Sequence, residues 1–386
     1  MSSYINANSF FYNAGSTFLQ NSNITSIDLR DATWFNQNMA NAFNRCYNLH
    51  TVINIKNTVT TLYRTFSECT SLVNVPILPN VLQNMSGTFA GCTSLVNVPT
   101  IPNSVTDMSY TFQNCQSLVD GPNIPDSVTT ISNCFAGCNA LVNAPVIGSN
   151  VTNMADSFKN CSSLVDAPSI PNSVTDMLAS FQNCTSLVNA PVIPNSVLDI
   201  RGAFRNCVSL TDAPVIPNSV DSMYYVYYEC ANLVNVPAIP NTITNISQCF
   251  AYCTSLVNIP ELPESVVNMC RTFSNCSALT GNINILSEQI TDADYCFDNS
   301  TLVKNVYIPY YYANEDHSAT YNAFIAAGYD ELGTKDNVYL KDINYQPRSR
   351  LNVDGFTYTT DAEDNVILET YTGESTNVVI PQIEVI

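Results

Sequence analysis

A cysteine stands at positions 46, 69, 92, 115, 138, 161, 184, 207, 230, 253 and 276, one every 23 residues without a slip. That register leaves few folds open. A fixed period of roughly 20–30 residues marks a solenoid, in which each repeat is one coil too small to close a core of its own. Each coil buries its apolar positions against the coils on either side. With no insertion between the first and last of these cysteines, the stack must run unbroken over residues 46–276.

The stretch 92–115, CTSLVNVPTIPNSVTDMSYTFQNC, shows what one coil contains. Val105, Met108, Phe112 and Cys115 are spaced 3, 4 and 3 apart, which predicts a short helix or 3₁₀ turn. Ser104, with Asp107 three residues on and Pro102 before it, reads as an N-cap with a short capping box. Leu95, Val96, Asn97 and Val98 favour extension, but Pro99 and Pro102 have no amide hydrogen to give to a ladder, so the strand in each coil must be very short. The fold class expected is an α/β solenoid of 23-residue coils, short parallel strands alternating with short helical turns.

Cys161, Leu164, Ile170, Pro171, Ser173, Val174, Thr175, Met177, Phe181 and Cys184 carry the pattern through a middle coil. In these residues the chain resembles the leucine-rich repeats of the bacterial surface protein A (BspA-like) type. It departs from them at Pro168 and its equivalents Pro76, Pro99, Pro122, Pro145, Pro191, Pro214, Pro237 and Pro260, a second proline per coil that should shorten or distort the strand. The resemblance implies a right-handed, curved solenoid serving as a binding surface on cell envelopes or virions, and it implies no catalytic chemistry.

Charge narrows the partners. Asp and Glu number 32 against 13 Lys and Arg, a net charge of −19, which repels phosphate backbones and argues against nucleic acid. Each ladder cysteine sits three residues after an aromatic core position and three before a leucine, where a small buried hydrophobe fits. All fifteen cysteines, including Cys134, Cys249, Cys270 and Cys296 off the ladder, are therefore expected to be reduced, and with only two histidines no metal or other cofactor is expected. Residues 1–20 hold no basic region followed by an apolar run, and no stretch reaches 18 apolar residues, so no membrane insertion is expected. A bacterial adhesin needs export, whereas a phage structural protein leaves by lysis; on that reasoning the sequence favours a virion.

Along the chain, residues 1–45 read as an N-terminal capping or anchoring segment, with Phe18, Ile24, Ile27 and Leu29 imitating a coil and Trp34 and Phe35 closing the core. Residues 46–309 are the solenoid, about twelve coils and on the order of 60 Å long at ~5 Å per coil. Its last coil passes through Phe297 and Leu302 with the cysteine lost and one residue deleted. Residues 310–350 form an α+β C-terminal cap with one helix over 318–327, capped by Ser318 and Gly328, and a strand over 338–343. Residues 351–386 form a β-rich tail with strands at 356–358, 366–368 and 378–380. Its segment 366–380 resembles the opening coil of another array, and its strands need a partner, either the cap or another subunit.

Two features could carry function. Five residues after the ladder cysteines come Asn74, Asn97, Asp120, Asn143, Asp166, Asn189, Asp212, Asn235 and Asn258, read as a ladder satisfying turn backbone in preference to a cation stripe. The other is the stretch 223–230, MYYVYYEC. Tyr227 takes the core Phe position, while Tyr224, Tyr225 and Tyr228 replace small or polar residues and should be exposed. One coil earlier, Arg201 aligns with Tyr224 and Arg205 with Tyr228, which sets guanidinium groups beside phenol rings, and Tyr252 extends the patch on the next coil. Such a patch suits stacking on sugar rings or a protein hot spot, or packing against a neighbouring subunit. Tyr310, Tyr311 and Tyr312 read as packing between solenoid and cap.

No carboxylate couple, nucleophile or base stands out, so no enzyme is expected. The main expectation is a phage virion structural or adhesion protein, a tail fibre, spike or capsid decoration. It would be a homo-oligomer or an assembly component whose partners are other virion proteins and a host surface glycan or protein. The alternative is a cell-surface adhesin of a bacterium or protist, and a second alternative is a polysaccharide-binding or cleaving solenoid.

Overall fold

The computed structural model describes residues 4–6, 24–30, 32, 37–310, 317–343, 350–353, 356–360 and 366–371. Through these the cysteine register becomes a continuous stack of coils in which every core position touches its own equivalent one coil away. Twelve aromatic side chains, Phe43, Phe66, Phe89, Phe112, Phe135, Phe158, Phe181, Phe204, Tyr227, Phe250, Phe273 and Phe297, form one column with ring centroids 5.5–5.9 Å apart and planes within 18° of parallel. Leu72, Leu95, Leu118 and their successors make a second column, wholly buried. A coil on its own would leave both faces of these side chains wet; stacking removes them from water, and that burial holds the rod together.

The cysteines form a third column. All fifteen are free thiols, and all but the half-buried Cys270 are buried. The thiols of Cys92, Cys115 and Cys276 donate to the carbonyl of the core aromatic residue 26 positions earlier, at 3.0–3.2 Å, as do the other ladder cysteines from 69 on.

Of the two forms expected from residue 104 onward, a short helix or a 3₁₀ turn, the helix does not form and the three-residue turn does. The 3-4-3 spacing belongs to a chain of tight turns. The amides of Thr111, Gln113 and Cys115 bond back three residues, to Met108, Tyr110 and Phe112, while those of Met108, Tyr110, Phe112 and Asn114 bond forward to Thr130, Ser132, Cys134 and Ala136 of the next coil. A helix would consume all of these amides internally. What turns every second one outward is a left-handed residue at every fourth position, here Tyr110 and Asn114, both with φ of 58°. Asn and Gly reach that conformation most cheaply, and they precede the ladder cysteine at Gly91, Asn114, Gly137, Asn160, Asn183, Asn206 and Asn275. Ser104 is likewise no N-cap: its hydroxyl donates to the carbonyls of Asn80 and Leu82 in the preceding coil, 2.8 and 2.6 Å away. Asp107 closes an Asx turn by accepting from the Ser109 amide at 2.8 Å.

The strands are as short as the prolines require. Along most of the rod they are single-residue parallel bridges, one column passing through Asn84, Asp107, Thr130, Asn153, Asp176 and Asp199, another through pairs such as Asp120 and Asn143. Among the described residues, longer strands occur only near the ends. Strands β1 (Tyr4–Asn6), β2 (Ser26–Asp28) and β3 (Thr51–Val52) make one parallel sheet, and β4 (Asn282–Asn284), β5 (Asn305–Ile308) and β6 (Tyr339–Asp342) another. Ile24, Ile27 and Leu29 are buried in the first coils as expected. Phe18, Trp34 and Phe35 lie outside the described residues.

The last coil is one residue longer than the others, the reverse of the deletion expected. Phe297 stacks on Phe273 from 24 positions away, and Asn268 bridges to Asp292. Ser300 takes the cysteine's place, its hydroxyl accepting from the Cys276 amide, and buried Val303 fills the core site while Leu302 faces solvent.

Helix α1 (Ala319–Ala326) then closes the open end, with Ser318 capping it by accepting from the Tyr321 amide and Gly328 beyond it at φ 90°. Phe324 and Tyr329 cover the terminal Phe297 ring at 6.4 and 5.8 Å, and the Tyr329 hydroxyl accepts from the Phe297 amide. Tyr310 packs on Tyr321 at 4.9 Å, a role matching its reading; Tyr311 and Tyr312 lie outside the described residues. In the tail, β7 (Arg350–Val353), β8 (Phe356–Thr360) and β9 (Val366–Tyr371) form an antiparallel sheet. The antiparallel β8–β9 pairing is unlike the parallel pairing of a coil, so 366–371 does not open a new array. Segment 378–380 lies outside the described residues.

Candidate functional site

The tyrosine-rich stretch lies on the turn face of the rod, where the turn geometry fixes which side chains point out. Tyr227 enters the aromatic column, fully buried between Phe204 and Phe250. Tyr225 occupies the left-handed site at φ 59°, where Gly202 stands one coil earlier, and Tyr252 the second such site at φ 63°. Side chains larger than Asn pay about 1–2 kcal/mol for that conformation, so Tyr225 and Tyr252, with Tyr228 between them, both carry that cost.

Their rings form a connected cluster. Tyr224 meets Tyr225 edge-on at 4.3 Å, Tyr225 meets Tyr228 at 5.0 Å, and Tyr228 meets Tyr252 at 5.5 Å. The Arg205 guanidinium lies over both Tyr225 and Tyr228, 5.2 and 4.9 Å from their centroids. Tyr224 and Tyr252 are exposed at 37% and 43%, whereas Tyr225 and Tyr228, expected exposed, are half-buried by their neighbours. Partial burial raises the pKa of Tyr224 and Tyr228, so these phenols stay neutral donors.

Arg201 does not join the rings. It turns back to Asp199, with Nη2 to Oδ2 at 2.6 Å and Nε to Oδ1 at 3.0 Å. Asp199 is partly desolvated, which alone would raise its pKa, yet the hydrogen bonds from Arg201 hold it below the ordinary carboxylate value. Asp176 and Asp221 add to the field that keeps Arg201 charged.

Beside Arg201 the backbone ladder comes apart. At the other steps of this column, the residue after the core Val or its equivalent bonds back one coil, as Thr129 does to Thr106 and Thr244 to Asp221, while the core Met or Ile bonds forward, as Met177 does to Asp199. A threonine hydroxyl doubles the backward bond at Thr106, Thr129, Thr152, Thr175 and Thr244. Leu198 and Asp221 replace threonine in two successive coils and neither can donate from its side chain. The bridge between Asp199 and Ser222, the bond from the Asp221 amide to Leu198 and the bond from the Ile200 amide to Ser222 are all missing, the one such gap in this column among the described residues. A cleft of about 370 Å³ opens there, lined by Leu198, Asp199, Arg201, Asp221, Ser222, Tyr224 and Asn245. Tyr224 and Arg201 belong to the patch read from the sequence; Leu198, Asp199, Asp221, Ser222 and Asn245 were missed. Their signal was the carboxylate of Asp221 in the threonine column, since Gln83, Leu198 and Val267 also replace threonine yet keep their backward amide bonds.

The Asn/Asp ladder pairs with itself. Asn143, Asn189 and Asn235 each donate an amide to the carboxylate of Asp120, Asp166 and Asp212 on the coil before, at 2.6 Å. These side chains satisfy each other rather than turn backbone, and no group of three metal-ligating side chains occurs among the described residues.

Comparison with known proteins agrees with this architecture. A solved leucine-rich repeat protein from Bacteroides ovatus shares 24% identity over 83% of this chain and 84% of its own, with a TM-score of 0.56. A leucine-rich cell surface protein from Faecalibacterium prausnitzii shares 22% identity over 73% of this chain and 82% of its own, with a TM-score of 0.46. No curated protein sequence matches. The family model for the BspA-type leucine-rich repeat region matches in six copies over residues 2–119, 108–234 and 222–326. With its coils, core columns and family match in agreement, the chain belongs to the BspA-type leucine-rich repeat family.

Proposed function

We infer that this chain is a non-catalytic adhesive repeat protein of a cell envelope, and that it makes contact through the face carrying Arg205, Tyr225, Tyr228, Tyr224 and Tyr252. The observation behind this reading is the connected aromatic and guanidinium cluster on a rod whose remaining turn faces are mostly Asn, Ser, Thr and Asp. Tyr and Arg are the residues that most often dominate recognition surfaces, and two of these tyrosines, Tyr225 and Tyr252, occupy left-handed backbone sites at φ 59° and 63°. Membership in a bacterial surface-protein repeat family supports the envelope, as does a rod geometry that displays side chains over a long face. The cluster holds no nucleophile and base pair, which suits binding over chemistry.

The virion reading drew on residues 1–20 and on nothing in the folded rod. The deciding experiment is quantitative mass spectrometry of envelope fractions and of purified phage particles, with protease accessibility on intact cells. Surface-exposed chain in the envelope is the expected result; a fixed copy number in particles, with none in the envelope, would overturn it. Binding of the purified chain to its cells or surfaces should fall when Arg205→Ala, Tyr225→Gly and Tyr228→Ala are combined.

A further inference from the structure

We propose that the open step between residues 198–201 and 221–224 is a subsite for one neutral pyranose ring of a glycan. This rests on the adhesive reading above and gives it a ligand chemistry.

Three features of the cleft converge on that class. First, the gap frees main-chain groups of both signs. The amides of Ile200 and Asp221 and the carbonyls of Leu198 and Ser222, paired in the equivalent places of other coils, have no partner here. Ile200 is a fully buried residue, so its orphan amide carries a desolvation cost that a ligand or water would relieve. Second, the side chains at the mouth offer mixed hydrogen bonding: the Asp221 carboxylate, the Ser222 hydroxyl and the Asn245 amide group, whose Oδ1 is already taken by the Ser247 amide at 2.9 Å. A ligand that both donates and accepts at several closely spaced points satisfies this set, and a ring of hydroxyl groups does so. Third, the exposed ring of Tyr224 stands at the rim beside its neighbour Tyr225 and gives the C–H face of a sugar something to stack on. The cleft of about 370 Å³ lies at the small end of ligand sites.

Charge sets the specificity. Arg201 is the one cation in the cleft, and Asp199 holds it bidentately, with Asp176 and Asp221 nearby. An acidic sugar would meet uncompensated carboxylate, so sialylated, uronic or sulfated residues are disfavoured. A bare divalent cation lacks ligands, since Asp199 is occupied and only Asp221 remains. An extended peptide needs a sheet edge several residues long, and this opening is one step wide.

The test presents the full chain to immobilised oligosaccharides ending in glucose, galactose, mannose or their N-acetylamino forms, beside sialylated and sulfated counterparts. At least one neutral series should bind, and tighter than its acidic counterpart. Two variants follow. Leu198→Thr with Asp221→Thr places a threonine hydroxyl on each side of the open step and should close the cleft, so it should melt no lower than the parent while binding at least about tenfold weaker. Tyr224→Ala, a surface change, should weaken binding with no change in melting. The proposal is overturned by a blank array, by preference for acidic glycans, or by full affinity in either variant. A chain that is found on the envelope and captures only protein through the Arg205 cluster ends this inference and leaves the adhesive reading standing.

Discussion

Tyr227 stacks on Phe204 with ring centroids 5.9 Å apart and planes 10° from parallel, yet its hydroxyl is buried with no hydrogen-bond partner. The oxygen was carried into a column built for phenylalanine, and desolvation pushes its pKa far up. Tyr227→Phe should therefore stabilise the rod by about 1–2 kcal/mol, the cost of an unsatisfied buried group. Urea denaturation with equal slopes for the two proteins would check it, and a loss of stability would show that an unseen water or rearrangement satisfies the hydroxyl.

The cysteine column predicts an alkaline limit. Burial pushes the thiols of Cys138, Cys184, Cys230 and Cys276 up to about 12. Because the folded pKa is raised, each thiol contributes stability in full below its unfolded pKa, and that contribution is lost as pH climbs from there toward 12. By pH 10 the loss is about 1.4 kcal/mol per thiol. The protein should unfold cooperatively on alkaline titration. At pH 8, alkylation followed by peptide mapping should modify the half-buried Cys270 first and leave the column untouched until denaturant is added.

Phe158 lies between Phe135 and Phe181, 5.5 Å from each. Phe158→Ala should cost about 3–5 kcal/mol by leaving a cavity that neighbouring coils cannot fill without breaking their own stacks. In a rod of nearest-neighbour contacts the damage stays local. Hydrogen exchange should accelerate in the flanking coils and remain unchanged near both ends.

Ser318 caps α1 and its hydroxyl also bonds the Pro309 carbonyl. Ser318→Ala should cost about 1–2 kcal/mol, read as faster amide exchange in 319–326 and freer access to the Phe297 end of the core. Unaltered exchange would mean that Phe324 and Tyr329 hold the helix without its cap.

What was legible in the sequence was whatever repeated. The columns of Phe, Leu and Cys could be placed because each coil restates them, and the Arg205 cluster could be found because Tyr224, Tyr225 and Tyr228 contradict their counterparts. The turn face was left open between helix and 3₁₀ turn for a physical reason: a 3-4-3 apolar spacing is shared by a helix and by a run of turns, and the Asn or Gly before seven of the ladder cysteines is what distinguishes them. Arg201 was aligned correctly with Tyr224, but alignment fixes a Cα and leaves the side chain free, and a carboxylate two residues away outcompetes a ring. The open step went unread because which inter-coil backbone bonds are made is visible only once the coils are stacked: Gln83, Leu198 and Val267 also replace threonine and keep theirs, whereas Asp221 does not.

That same gap has a mechanical meaning. A rod of coils pulled from its two ends is a chain of links in series, and every step carries the whole load. Between the coils of Phe204 and Tyr227 the link lacks backbone bonds that the other steps of that column possess. Under tension it should be the first to part, dividing the molecule into two stacked blocks that each keep their own core. A molecule tethered at one end and gripping at the other would lengthen there before it let go.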